Sequence, residues 1–184
     1  MKPTEVLITE HNAILLGLEI LEKVEAALEA GSADAPQHLG QLIDFFRGFV
    51  DRCHHGKEED ILFPELEKRG LLREGGPIGV MLAEHEIGRQ RIQGMSSALD
   101  RLRQGESLAV ADIRENSLGY RNLLKVHIHK ENNILFPMAD SLLNDDDAVK
   151  IIDRFAEIEK DRVGPGKHEA YHSLLHRLKE IYRV

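Results

Sequence analysis

Six residues of this sequence combine metal-ligating side chains with helical spacing: His11, His54, Glu58, His85, His127 and Glu131. His54 and Glu58 stand four apart, as do His127 and Glu131, which places each pair on one face of a helix. His54 keeps register with Phe46, Val50 and Ile61, and His127 with Leu123 and Leu124, so the face carrying these polar groups is also the apolar face. A carboxylate aimed into a core without a partner is costly or protonates, whereas a bound cation supplies the partner. Four inward imidazoles and two inward carboxylates therefore ask for metal. With no thiolate cluster, the donor set suits iron or manganese best, with zinc possible.

The elements that must position these side chains are helices. Leu, Glu, Ala, Lys and Arg dominate, and no stretch alternates apolar and polar residues as a strand would. A first helix is expected from a Thr4 cap to Gly31, and a second from Asp34-Ala35-Pro36 toward Gly70, kinked or shortened at Pro64. A third opens at Gly75-Gly76-Pro77 and stops at Gly105, and a fourth covers about Asp112 to Leu143. The run Asn144-Asp145-Asp146-Asp147 reads as a loop and cap to a further helix ending at Gly164-Pro165-Gly166, and a last helix covers about Lys167 to Tyr182.

The first two helices are echoed by the next two. Glu10-His11 and Gly31 match Glu84-His85 and Gly105 at an offset of 74, and His54, Lys57-Glu58 and Ile61-Leu62-Phe63-Pro64 match His127, Lys130-Glu131 and Ile134-Leu135-Phe136-Pro137 at 73. Two similar hairpins imply an all-α, up-down four-helix bundle over residues 1–143, with a C-terminal helical extension, 144–184, packed on it.

This pattern resembles the hemerythrin-like (HHE cation-binding) domain family, in which a histidine on the first helix, His-x-x-x-Glu on the second, a histidine on the third and a His/acid pair on the fourth surround two irons. The resemblance covers about residues 4 to 140 and includes the Leu-Phe-Pro after each glutamate. It implies that His11, His54 and Glu58 serve one iron and His85, His127 and Glu131 the other, with both glutamates bridging beside an oxo or hydroxo bridge. It also implies a binding or sensing role for O2, peroxide or nitric oxide, or iron handling, more readily than catalysis.

Oxygen-carrying hemerythrins have a further histidine one turn after the third-helix histidine, and here that position is Arg89. Octahedral coordination of two irons is then about two positions short. His168 is the first candidate to fill one, with His172, Glu10 and Glu84 next. Glu59 is a candidate hydrogen-bond acceptor for a ligand imidazole, and Tyr120 a candidate partner for a bound oxygen species. His55 and His129 are expected at the site edge or surface, and His38 in a solvated loop. His168-Glu169-Ala170-Tyr171-His172 fits the zinc-protease pattern His-Glu-x-x-His, but only twelve residues follow it and no third ligand is evident. A structural module stabilised by metal, with an acidic surface for a protein partner, is the other alternative.

The net charge of −8 offers no field to gather nucleic acid or anionic lipid, and no apolar run approaches the length of a membrane span. The single Cys53 and the absence of a leader-like segment suggest a reducing, cytoplasmic setting.

Overall fold

Residues 1–164 and 166–184 are described by the structure, a computed structural model. Among these residues there are helices and no strand: α1 (Pro3–Glu29), α2 (35–68), α3 (Pro77–Arg103), α4 (109–142), α5 (145–163) and α6 (Lys167–Tyr182). Helices α1 to α4 form the expected bundle. No described helix is long and apolar enough to cross a membrane.

Local chemistry sets most of the ends. Gly31 and Gly105 terminate α1 and α3 at φ of 77° and 94°, where a Cβ would be strained. Asn144 caps α5 by accepting from the Asp147 N–H at 2.9 Å, and Asp147 reciprocates from its carboxylate. Thr4 is not the cap of α1. Lys2 takes that place, its N–H donating to Glu5 at 2.7 Å, while the Thr4 hydroxyl donates to Asp140 on α4. Pro165 of the expected stop after α5 lies outside the described residues.

Neither Pro64 nor Pro137 ends its helix. Each enters a new α-helical stretch, Phe63–Lys68 or Phe136–Leu142, directly after a π-helical turn, Glu58–Leu62 or Glu131–Leu135. A helical proline lacks an N–H and crowds the carbonyl one turn back. The wider π turn, closed by i→i+5 bonds, makes room for it, so the shortening expected at Pro64 does not occur. A longer π-helical stretch, Phe46–His55, leads up to the first His/Glu pair of α2.

Two apolar clusters fill the bundle. One gathers Ile14, Leu18, Phe46, Val50, Ile92 and Leu124, and the other Leu7, Ile61, Phe63, Met81, Leu135 and Phe136. On every bundle helix a candidate ligand falls where one cluster gives way to the other: His11 between Leu7 and Ile14, His54 and Glu58 between Val50 and Ile61, His85 between Met81 and Ile92, His127 and Glu131 between Leu124 and Leu135. The polar layer is thereby sandwiched between two dry layers. Helix α5 lies along the π-helical part of α2, and α6 along α1, where Tyr171, Leu175 and Leu178 join the first cluster.

Candidate metal centre

All six residues singled out from the spacing are buried, with Glu58, His85 and Glu131 at 0 % exposure. Each imidazole is pinned from outside through Nδ1. His54 Nδ1–H donates to Glu10 (2.8 Å), His85 to Glu59 (2.6 Å), His127 to Glu84 (2.9 Å) and His11 to the amide oxygen of Asn132 (2.8 Å). A carboxylate at neutral pH only accepts, so Nδ1 carries a proton and each ring turns its Nε2 inward. Outer acceptors of this kind orient metal-binding histidines. Glu10, Glu84 and Glu59 act in this way, and none of them adds to the inward donor set.

The inward atoms interleave. Glu58 lies with one oxygen 3.7 Å from His54 Nε2 and the other 3.4 Å from His85 Nε2. Glu131 lies 3.1 Å from His11 Nε2 and 3.2 Å from His127 Nε2, again through different oxygens. Each carboxylate thus faces both halves of the site. His11 Nε2 and all four of these carboxylate oxygens are buried without a hydrogen-bond partner. The Nε2 atoms of His85 and His127 face each other at 3.1 Å. Without a cation one of the two must carry a proton that the other accepts, and two nitrogens at right angles around an ion about 2.1 Å from each would likewise stand roughly 3 Å apart. The donor set therefore fits a cation in each half, one among His11, His54, Glu58 and Glu131, the other among His55, Glu58, His85 and His127.

Electrostatics without a cation show the same tension. Burial, and then the neighbouring Glu131, push the Glu58 carboxyl well above the usual range. Burial also works against ionising Glu131, but the charge on His127 and the close approach of the His11 and His127 rings hold it well below. Burial lowers His54 to about 4. Burial likewise opposes protonation of His127, yet Glu131 and Glu84 raise it to about 9. A chamber that disfavours the charge on one carboxylate and draws a proton to one imidazole is short of positive charge.

Behind two of the outer carboxylates stand lysines that the sequence reading did not single out. Lys57 pairs with Glu10, and Lys130, its counterpart in the repeat, with Glu84. Lys57 is fully buried and also pairs with Glu159 of α5, whereas the Lys130 side chain keeps 27 % exposure. Asn132 was missed too. It follows Glu131 as Glu59 follows Glu58, and each holds the lone histidine of the other hairpin, a relation the repeat already contained.

Other expectations are corrected. His55 is not at the surface: it is 4 % exposed, its ring stacks on His85 at 3.7 Å between centroids, and its Nδ1 lacks a hydrogen-bond partner. The π-helical stretch Phe46–His55 turns less per residue than an α-helix, so His54 and His55 both point inward. His129 is exposed as expected. His38 lies within α2, its Nδ1 2.7 Å from the Tyr182 hydroxyl. His168 packs against Phe49 outside both halves of the chamber, near Glu10 and Glu159, where Lys57 already supplies the cation. His172 is exposed and joins no metal-capable group among the described residues, which leaves the His-Glu-x-x-His pattern without a site. Tyr120 is buried, edge-on to Phe46, and makes no hydrogen bond to a candidate ligand.

Over 121 residues the chain is 33% identical to the iron-sulfur cluster repair protein YtfE of Edwardsiella ictaluri, covering 64% of this chain and 53% of that protein. It is 36% identical over 89 residues to the YtfE proteins of Yersinia pseudotuberculosis and Yersinia pestis, covering 47% of this chain and 40% of each. The chain thus spans about half the length of these curated relatives, or less. No solved structure matches it. The Hemerythrin HHE cation binding domain matches residues 2–139, and the chain belongs to that family.

Proposed function

We propose that this chain holds two iron ions bridged by Glu58 and Glu131, with His11 and His54 on one and His85 and His127 on the other, and that it handles iron in the repair of iron–sulfur clusters. The observation that carries the metal assignment is the set of buried, unpartnered inward donors: His11 Nε2 and both oxygens of each glutamate. The role in repair rests on the likeness to the YtfE proteins. When bound, the iron pair supplies reversible redox chemistry and coordination positions open to small ligands. The chain's own contribution is orientation and exclusion. Four outer acceptors fix the imidazole tautomers, and the apolar layers above and below keep water from the bridging carboxylates. Binding of O2, peroxide or nitric oxide is the second reading, favoured by a cavity walled by His55, whose ring stacks on His85.

The test is metal content and visible absorption of protein purified without added metal, followed by transfer of iron to a nitric-oxide-damaged iron–sulfur hydratase. About two irons per chain with oxo-bridge bands, lost in the His54→Ala, Glu58→Ala double variant, are expected, along with recovery of the hydratase. Manganese or zinc in place of iron would overturn the iron assignment. Intact iron without recovery would leave small-ligand binding as the function.

A further inference from the structure

A cavity of about 290 Å³ opens between α2, α3 and α4, and His55 forms its inner wall. The His55 ring separates this space from the candidate ligands, stacked on His85 with an interplanar angle of 13° and lying 5.9 Å from the His127 ring. Parallel, stacked imidazoles cannot both direct in-plane lone pairs at one ion, so His55 is placed beside the metal pair and not among its ligands. Its buried Nδ1 has no hydrogen-bond partner. The nearest carboxylate oxygen, Asp51 Oδ1, is 3.6 Å away and is already engaged by Arg89 Nε at 2.7 Å.

The outer wall is basic, in contrast to the acidic chain. Arg47, Arg52 and Arg89 line the cavity with Asp51 as the lone acid. Arg89 spans the mouth, bonded to Asp51 and to Glu59, the same Glu59 that holds His85. Arg47 bonds the neutral Gln93, and among the described residues no carboxylate pairs with Arg47 or Arg52. Uncompensated guanidinium groups around a concave mouth concentrate anions and exclude cations. At about 30 Å³ per water-sized unit, the volume holds a small inorganic ion together with several waters.

We propose that this cavity admits a small monovalent inorganic anion, drawn in by Arg47, Arg52 and Arg89 and hydrogen-bonded by His55 next to the His85–His127 half of the chamber. The inference rests on the iron-pair reading above. Arg89 gives the position a purpose where oxygen-carrying relatives place a ligand: it exchanges a metal bond for a charged gate.

The probes are azide, an anion, and nitric oxide, which is uncharged, mixed rapidly with the full-length iron-loaded protein after its iron has been counted. In the surface variant Arg47→Gln, Arg52→Gln the azide association rate at low salt should fall roughly tenfold while nitric oxide binds no slower, and in Arg89→Gln the azide rate should fall as well. High salt should slow azide in the wild type and much less in the variants. His55→Leu should keep its iron and release azide faster. Azide rates unchanged in both arginine variants, or azide and nitric oxide slowed in parallel, would overturn the proposal. Loss of iron from His55→Leu would make His55 a ligand and overturn its assigned place. A wild-type protein without iron would instead overturn the function proposed above, and this inference with it.

Discussion

Replacing Lys57 by methionine separates the two halves of the site. Lys57 is fully buried, its ammonium lies between Glu10 and Glu159, and Glu10 is itself only 6 % exposed. Burial opposes ionisation of Glu10, but the hydrogen bond from His54 and the charge on Lys57 bring it down to about 2. Methionine preserves the volume and removes the charge, which leaves a buried carboxylate held by one imidazole N–H. Breaking such a pair costs roughly 3–5 kcal/mol. For a chain of this size each kcal/mol shifts Tm by about 2–4 °C, so Lys57→Met should melt roughly 6–20 °C lower. The same change at Lys130, which pairs with Glu84 where water reaches both groups, should cost no more than about 1 kcal/mol. Circular dichroism melts of the two variants, at matched metal content, make the comparison. Adding Glu10→Gln to Lys57→Met should recover much of the loss, because glutamine still accepts from His54. Equal melting points for the two lysine variants would refute the reasoning, and so would a double variant worse than Lys57→Met alone.

Stability of the metal-free protein should peak near pH 6.5. His54, at about 4, binds no proton between 6.5 and 4 while the unfolded chain does, and burial lowers His55 and His85 in the same direction, so stability falls on acidification. On the alkaline side the proton that folded His127 holds up to about 9 is lost, so stability falls again; urea titrations across pH read both limbs. For the same reason metal uptake at neutral pH should release protons, measurable with an indicator dye in weak buffer, and uptake without release would contradict these protonation states. Burial pushes the Cys53 thiol up to about 12, so a disulfide reagent should leave it untouched in native protein and label it once urea unfolds the chain. A Cβ on Gly48 would fall 2.0 Å from the Tyr171 hydroxyl, so Gly48→Ala should destabilise by roughly 1–3 kcal/mol, with Tyr171→Ala in the same chain restoring part of it.

The bundle and the six inward side chains were legible because two independent periodicities coincide, the i, i+4 pairs and the repeat of about 73 residues. Polar groups recurring twice on apolar faces leave few alternatives to a shared chamber. His55 was not legible, since its inward turn depends on a π-helical stretch that a 100° wheel does not represent. The last helix misled in the opposite sense. His168, His172 and His176 share a face by spacing, but tertiary packing gives that side of α6 to Phe49 and solvent, while Tyr171, Leu175 and Leu178 take the core. Nor could spacing alone show that Glu159 reaches Lys57, a contact made by the packing of α5.

The π turns that begin at Glu58 and Glu131 constrain anyone who would transplant this centre onto an idealised scaffold. Each turn holds one residue more than a regular α-helix would in the same rise, so the side chains after it are phased differently from those before it. Grafting His-x-x-x-Glu onto ideal helices would reproduce the glutamates and misplace Phe63 and Phe136, the aromatic floor beneath His85 and His11. A faithful design must carry the irregular turns and their prolines along with the ligands, or delete one residue per hairpin and rebuild that floor.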